Sequence, residues 1–410
     1  VPSARMRASR VAMRRAAAAP SSDRAAFEMY TMGHLLTAAC LHHRVTGSDA
    51  FLDVARRTAD FLASTFSNPT AELARNSVCP SHYMGAIDMY RATGERRYLD
   101  LAQKFLDMRN LVVDGGDDNQ DRIPFLDQRE AVGHAVRANY LYAGAADLYL
   151  ETGDERLWAP LEACWRSVVE RKMYVTGGCG ALYDGASPDG SENQAQISRV
   201  HQAYGRNYQL PQTTAHNETC AAIGSVLWNW RMFLATGDAK YVDVLELALY
   251  NSVLAGVSLS GEDYFYVNPL RQVEPLPAPL RWPRRRVPFV VSYCCPPNVL
   301  RTIAQSASYA YAAAEDGAYV NLYCSSTLST THAGEPLKLS QTTEYPWDGR
   351  VRIAIEACPS APFALHVRIP GWSGAATVRI NGRPLETFTA PGAFVELKRE
   401  WSPGDVVDID

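Results

Sequence analysis

No apolar run in this 410-residue chain reaches the roughly 20 consecutive residues that a bilayer crossing needs, so no membrane partner is expected. Excess positive charge is missing as well. Lys and Arg number 40 against 44 Asp and Glu, a formal net charge of −4, which leaves no electrostatic footprint for nucleic acid. A disulfide framework is also lacking. The nine cysteines are odd in number and scattered over a long chain, which suits a reducing compartment, and the cytoplasm is the expected location. No continuous apolar stretch follows the arginine-rich start, so no secretory signal is read there. Residues 1–20 carry five arginines and no acid. Their composition is that of a transit peptide, but they are taken as a disordered segment or a start placed in error. Val1 at the beginning and a strand-like GDVVDID at the end are expected of a chain cut at both ends.

What is present is a globular composition, 47% hydrophobic, in a chain too long for one small core. A weak repeat organises the first two thirds: VTGSDAFLDVA from Val45, ATGERRYLDLA from Ala92, ETGDERLWAPL from Glu151 and ATGDAKYVDVL from Ala235. Tyr98, Leu101, Ala102 and Phe105 recur at helical spacing, as do Tyr241, Val244, Leu245 and Ala248. Gly47, Gly94, Gly153 and Gly237 suit left-handed helix ends, and the polar residue after each suits a new helix start. Each unit is therefore a helical hairpin, and repeated hairpins predict a solenoid or a closed α/α toroid. The separations between turns lengthen along the chain, and a Gly- and Pro-bearing loop from Gly177 to Thr214 interrupts the helical pattern.

After about Glu315 the period changes to two, in AYVNLYCSSTLS, LKLSQTTEYP, RVRIAIEAC, FALHVRIPG, ATVRINGRP and AFVELKREW. The expected fold is a multidomain α + β chain. A helical toroid over residues 21–314 precedes an incomplete β-sandwich over 315–410.

The stretch SYCCPPNVL places Cys294 and Cys295 side by side. Pro296 and Pro297 fit the first turn of a helix that NVLRTIAQSASYAYAA would continue, which puts both thiols at a positive helix end. HNETCAAIGSVLWNW likewise sets Glu218 and Cys220 just ahead of an apolar helix, where a non-helical lead-in lets them converge. One carboxylate oxygen and three sulfurs make a tetrahedral Zn²⁺ set. Buried core thiols and a strained vicinal disulfide are the competing readings of the pair.

NETC, ELALYNSVLAGVSL, YFYVNPL, SYCCPPNVLR, GAYVNLY and EYPWDG together resemble glycoside hydrolase family 127, the β-L-arabinofuranosidase family, and GHAVRANYLYAGAADLY resembles it too. The resemblance runs from about Phe27 to the end and implies an (α/α)6 barrel followed by β-sandwich modules. It implies Zn²⁺ on Glu218, Cys220, Cys294 and Cys295, with Cys294 the nucleophile of a retaining mechanism on a carbohydrate substrate. His82, His134, Glu246 and Tyr266 match pocket positions of the family, and members that dimerise imply a possible homodimer. A non-catalytic zinc-stabilised sugar-binding protein and a toroid isomerase or lyase are the competing classes.

One departure stands out. The glutamate that serves the family as general acid/base aligns with Gln202, and an amide cannot shuttle a proton. Glu192, His201 or Glu246 could replace it. Alternatively the sugar carries its own carboxylate, as the branched acidic sugar aceric acid of pectin does, with Arg206 to pair with it. A chain that only binds sugar is the third account. His201, Gln202 and Arg206 are thus expected around the sugar.

Overall fold

The structure, a computed structural model, describes residues 28–75, 80–182, 202–275, 282–290, 294–386 and 390–410. It is mixed helix and sheet and divides into two compact units. The first holds the chain up to Arg231 and again Ala248–Val299; the second holds Met232–Leu247 and Leu300–Asp410. Among the described residues no helix is long and apolar enough to cross a membrane.

The helices are α1 (Glu28–Thr46), α2 (Ala50–Thr65), α3 (Ala71–Arg75), α4 (Ser81–Thr93), α5 (Arg96–Asp107), α6 (Ala135–Thr152), α7 (Trp158–Arg171), α8 (Thr219–Thr236), α9 (Ala239–Ala248) and α10 (Cys295–Gln305). Four Thr-Gly corners join α1 to α2, α4 to α5, α6 to α7 and α8 to α9. At each, the glycine has φ between 64° and 70° and donates its N–H to the carbonyl four residues back. The preceding threonine bonds its hydroxyl to a helix carbonyl, Thr93 to Met89 and Thr152 to Leu148 at 2.7 Å. The same oxygen accepts the N–H of the residue after the glycine, Glu95 and Asp154 at 3.2 Å. Thr46 and Thr236 repeat both bonds. The dipeptide recurs because it satisfies groups that a helix end otherwise leaves open. The expected acidic start caps two of the following segments: Asp154 accepts from the N–H of Arg156 and Asp238 from that of Lys240. Asp49 and Glu95 make no such bond.

The apolar stripe of α5 is buried throughout. In α6 all fourteen residues from Ala135 to Leu148 are buried, so its surroundings are protein on every side and no single-faced stripe is written into its sequence. β1 (Gly133–His134) pairs antiparallel with β2 (Ala203–Tyr204), which brings Gln202 to the start of α6, where its carbonyl accepts the Ala135 N–H at 2.9 Å.

α10 ends earlier than its sequence suggests. Ser306 and Ser308 turn their hydroxyls onto the carbonyls of Ile303 and Gln305, and the chain passes through a tight turn into a strand. That strand, β3 (Tyr311–Ala314), opens the sheet region before Glu315, paired with β4 (Gly317–Val320). Then follow β5 (Ser326–His332), β6 (Glu335–Thr343), β7 (Val351–Ala357), β8 (Phe363–Ile369), β9 (Val378–Ile380), β10 (Arg383–Pro384), β11 (Ala393–Arg399) and β12 (Val406–Ile409). They form a six-stranded sheet ordered β10-β9-β12-β7-β6-β5 and a four-stranded sheet ordered β11-β8-β4-β3, in which β4 and β8 are parallel. Leu337 and Leu339, then Val351, Ile353 and Ile355, alternate into a core shared with Phe363, Leu365, Val367 and Ile369.

β8 does not alternate: all seven residues are buried. Its second face carries His366, stacked on Tyr319 at 4.2 Å, and Arg368, which binds Glu246 and Asp243 of α9. Both carboxylate oxygens of Glu246 are engaged. Oε1 accepts from Arg368 at 2.5 Å and from the Tyr345 hydroxyl at 3.0 Å, and Oε2 accepts from the Trp372 indole N–H at 3.3 Å. Glu246, expected as a catalytic proton carrier, is placed in a buried ion pair of the second unit.

Two outcomes test these readings. Gly153→Ala should cost about 1 kcal/mol through its positive φ, since nothing lies within 4 Å of the added carbon. Arg368→Met should cost about 3–5 kcal/mol, because it strands buried carboxylates. Urea unfolding of each variant checks both.

Candidate metal centre

Two helix starts build the site. The lead-in to α8 is pinned on both sides by backbone bonds. His216 N–H donates to Ala181 O and Asn217 N–H to Gly180 O, while Thr219 N–H donates to Tyr266 O at 3.0 Å. Asn217 sits at φ 45°, and its amide fills the space where a Cβ on Gly178 would lie 1.9 Å away. Gly178 is therefore needed for close approach. Glu218 stands at the cap, its carbonyl accepting from Ala221 and Ala222. At the second start, Cys294 precedes α10, and its carbonyl accepts the Asn298 N–H at 3.3 Å. Cys220 and Cys295 lie within the first helical turns rather than in non-helical lead-ins, which corrects the sequence expectation for Cys220. Cysteine 76 residues from Glu218 in sequence thus meets it through two helix ends.

The ligand atoms of Glu218, Cys220, Cys294 and Cys295 lie within 4.8 Å of one another. Cys220 Sγ is 3.3 Å from Cys295 Sγ, and Cys294 Sγ is 3.8 Å from Cys295 Sγ and 3.6 Å from Glu218 Oε1. No disulfide joins Cys294 to Cys295; both thiols are free. Around a metal with sulfur at about 2.3 Å, the edge of a tetrahedron is about 3.8 Å. Three sulfurs and a carboxylate at these separations fit a thiophilic divalent cation.

Glu218, Cys220 and Cys295 are buried, at 3%, 1% and 0% exposure, while Cys294 is partly exposed. Burial pushes Cys220 and Cys295 well above the ordinary thiol range. It also raises Glu218 well above the carboxylate range, with the charge on Cys294 adding to the effect. Cys294 lies well below the ordinary range because the thiols of Cys220 and Cys295 donate to it. Exposure and ease of ionisation thus both single out Cys294 among the four.

Tyr266 and Gln202 also gather here. The Tyr266 hydroxyl bonds Glu218, its ring stacks on Trp282 at 4.0 Å, and Gln202 Nε2 approaches its oxygen at 3.5 Å. Gln202 adopts φ 54°, so its backbone is held in the left-handed region. His134 pairs with Ala203 in the β1–β2 ladder, one residue from Gln202. The described contacts of His82 are elsewhere: the ring is fully buried, edge-on to Phe105 at 4.5 Å and to Tyr83 at 4.6 Å. Arg206 is exposed. His201 and Glu192 lie outside the described residues.

Sequence reasoning missed four neighbours. His216 Nε2 stands 3.3 Å from Glu218 Oε2, and the left-handed turn at Asn217 between them leaves no regular spacing to read. Asn298 donates its amide to Cys220 Sγ at 3.1 Å, one helical turn after Cys295. Asn139 of α6 donates to the Ala221 carbonyl at 2.8 Å and accepts from Tyr204, tying β2 to α8. Cys179 beside it arrives from a distant loop and leaves no motif.

Residues 5–308 match the family described as beta-L-arabinofuranosidase, GH127 catalytic domain, and residues 317–410 match the GH127 middle domain. The chain is 33% identical to a non-reducing end beta-L-arabinofuranosidase of Bifidobacterium longum subsp. longum, over 93% of this chain and 59% of that protein. A solved structure described as a glycoside hydrolase superposes with TM-score 0.88 at 52% identity, covering 93% of this chain and 64% of that one. A GH127 beta-L-arabinofuranosidase of Geobacillus stearothermophilus T6 superposes with TM-score 0.82 at 33% identity, covering 94% and 62%. The chain therefore spans about six tenths of the length of these relatives.

Exposure and charge predict the order of thiol reactivity. In metal-free protein at neutral pH, limiting iodoacetamide should label Cys294 well before Cys220 or Cys295, read by peptide mass mapping. Equal labelling of the three would contradict the arrangement.

Proposed function

This chain belongs to the GH127 β-L-arabinofuranosidase family, and we propose that it hydrolyses β-L-arabinofuranosides with Cys294 as nucleophile and with retention of configuration. The observation that carries this is the inequality within the cluster: three ligands are buried and Cys294 alone reaches solvent. The helical unit is read as the α/α toroid and the two sheets with their shared core as the β-sandwich, with 21–314 and 315–410 as working boundaries.

Glu218, Cys220, Cys294 and Cys295 would hold Zn²⁺, and the ion would supply a positive charge that keeps the thiols ionised at neutral pH. The thiolate of Cys294 attacks the anomeric carbon. A C–S bond forms, and the C–O bond to the leaving group breaks with its electron pair going to that oxygen. Water then attacks the same carbon and loses a proton, which by way of solvent neutralises the alkoxide released in the first step; the C–S bond breaks and the thiolate returns. Two displacements retain the configuration. Tyr266, bonded to both Glu218 and Gln202, orients the carboxylate side of the site.

The leaving oxygen needs a proton, and Gln202 has none to give as an acid. A second reading follows from this residue: the substrate is an acidic sugar of the aceric type that brings its own carboxyl group, and a neutral Gln202 avoids repelling it. Exposed Arg206 is available to pair with such a charge.

Full-length protein should contain one zinc per chain and release p-nitrophenol from p-nitrophenyl β-L-arabinofuranoside, with release lost after iodoacetamide or in Cys294→Ala. Zinc without release would reject this substrate, and no zinc would reject the site. Gln202→Glu separates the two readings. For an arabinofuranosidase it should raise turnover of alkyl arabinofuranosides, on the order of 10²-fold or more, as a restored general acid does. For an acidic sugar it should lower turnover through charge repulsion.

A further inference from the structure

We propose that His216 is a positioning residue that makes Glu218 a one-oxygen ligand. The inference rests on the metal reading above and adds which carboxylate oxygen serves and what withholds the other.

The two oxygens of Glu218 face different partners. Oε1 lies 3.6 Å from Cys294 Sγ and 3.8 Å from Cys295 Sγ, within the ring of sulfurs. Oε2 lies 3.3 Å from His216 Nε2. With Glu218 ionised on a cation, its Oε2 can only accept, so the proton between them is on Nε2 of His216. His216 and Glu218 are both buried, at 0% and 3% exposure, so solvent does not take the imidazole's place. The histidine cannot swing away easily. Its backbone N–H is bonded to Ala181 O at 3.2 Å, and its ring meets Tyr266 edge-on at 6.0 Å, 71° between planes. His216 and Glu218 flank Asn217, whose left-handed φ of 45° bends the chain between them.

A carboxylate free to turn can offer both oxygens and raise the coordination number from four to five. It would then compete with a sulfur for a place on the ion. Cys294 is the sulfur with most to lose, since it alone is partly exposed. By keeping Oε2 engaged, His216 reserves one position for each of the three sulfurs. The role is that of an outer partner to a ligand, acting through Glu218 and not on the sugar.

The test is zinc-edge X-ray absorption on the full-length protein, with chelator competition for affinity. Wild type should show one oxygen scatterer at about 2.0 Å and three sulfurs at about 2.3 Å. His216→Phe should gain a second oxygen and bind zinc about 10–100-fold more weakly. His216→Gln, which keeps an N–H donor, should stay closer to wild type. Two oxygens in the wild-type shell would overturn the proposal without touching the metal reading. So would an unchanged shell and affinity in His216→Phe. The wild-type shell decides the matter even if that variant fails to fold. Protein that takes up no zinc would overturn both.

Discussion

Four acidic side chains crowded together, three of them buried, set the terms for the first unit. At an effective dielectric of 20, two unit charges about 3.6 Å apart repel by about 4–5 kcal/mol. A helix N-terminus returns about 0.3–2 kcal/mol. The ends of α8 and α10, with the hydroxyl of Tyr266 and the amide of Asn298, offset only part of that repulsion, and the balance favours ionisation of Cys294 over its neighbours. Any further ionisation calls for a cation. The hydrogen-bonded frame around Asn217, Thr219 and Gly178 exists to hold these groups together despite that repulsion. Its bonds are backbone bonds, which do not relax when a side chain changes charge.

Much of this was legible in advance, because the site is built at helix starts and helix starts have a written grammar. Two prolines after Cys295 and an apolar run after Cys220 marked both ends. The Thr-Gly corners were legible for the same reason: a left-handed position selects glycine whatever surrounds it. What the sequence hid were relations across the fold. Asn139 and Cys179 reach Tyr204 and α8 from separate segments, and no local pattern announces such a meeting. His216 lies two residues before Glu218 and carries no motif of its own.

Glu246 shows the opposite case. It lies off the stripe of Tyr241 and Leu245, and a helix can have two buried faces. The face away from the hairpin meets β8, whose continuous burial follows from the same contact. A buried carboxylate opposite a guanidinium fastens structure. A buried carboxylate among thiols is poised to receive a cation. Residue type alone cannot separate these cases; the partner does.

The Thr-Gly corner has a consequence for how such a chain can grow. Each corner closes its own hydrogen bonds with its own threonine and glycine and asks nothing of the next one. Intervals of 47, 59 and 84 residues between successive turn glycines are therefore equally compatible with the same joint. Material can enter between corners without renegotiating them, and the longest interval contains the segment that leads to Gln202 and Glu218. A repeat with self-sufficient hinges lets the connecting loops diversify while the scaffold keeps its geometry.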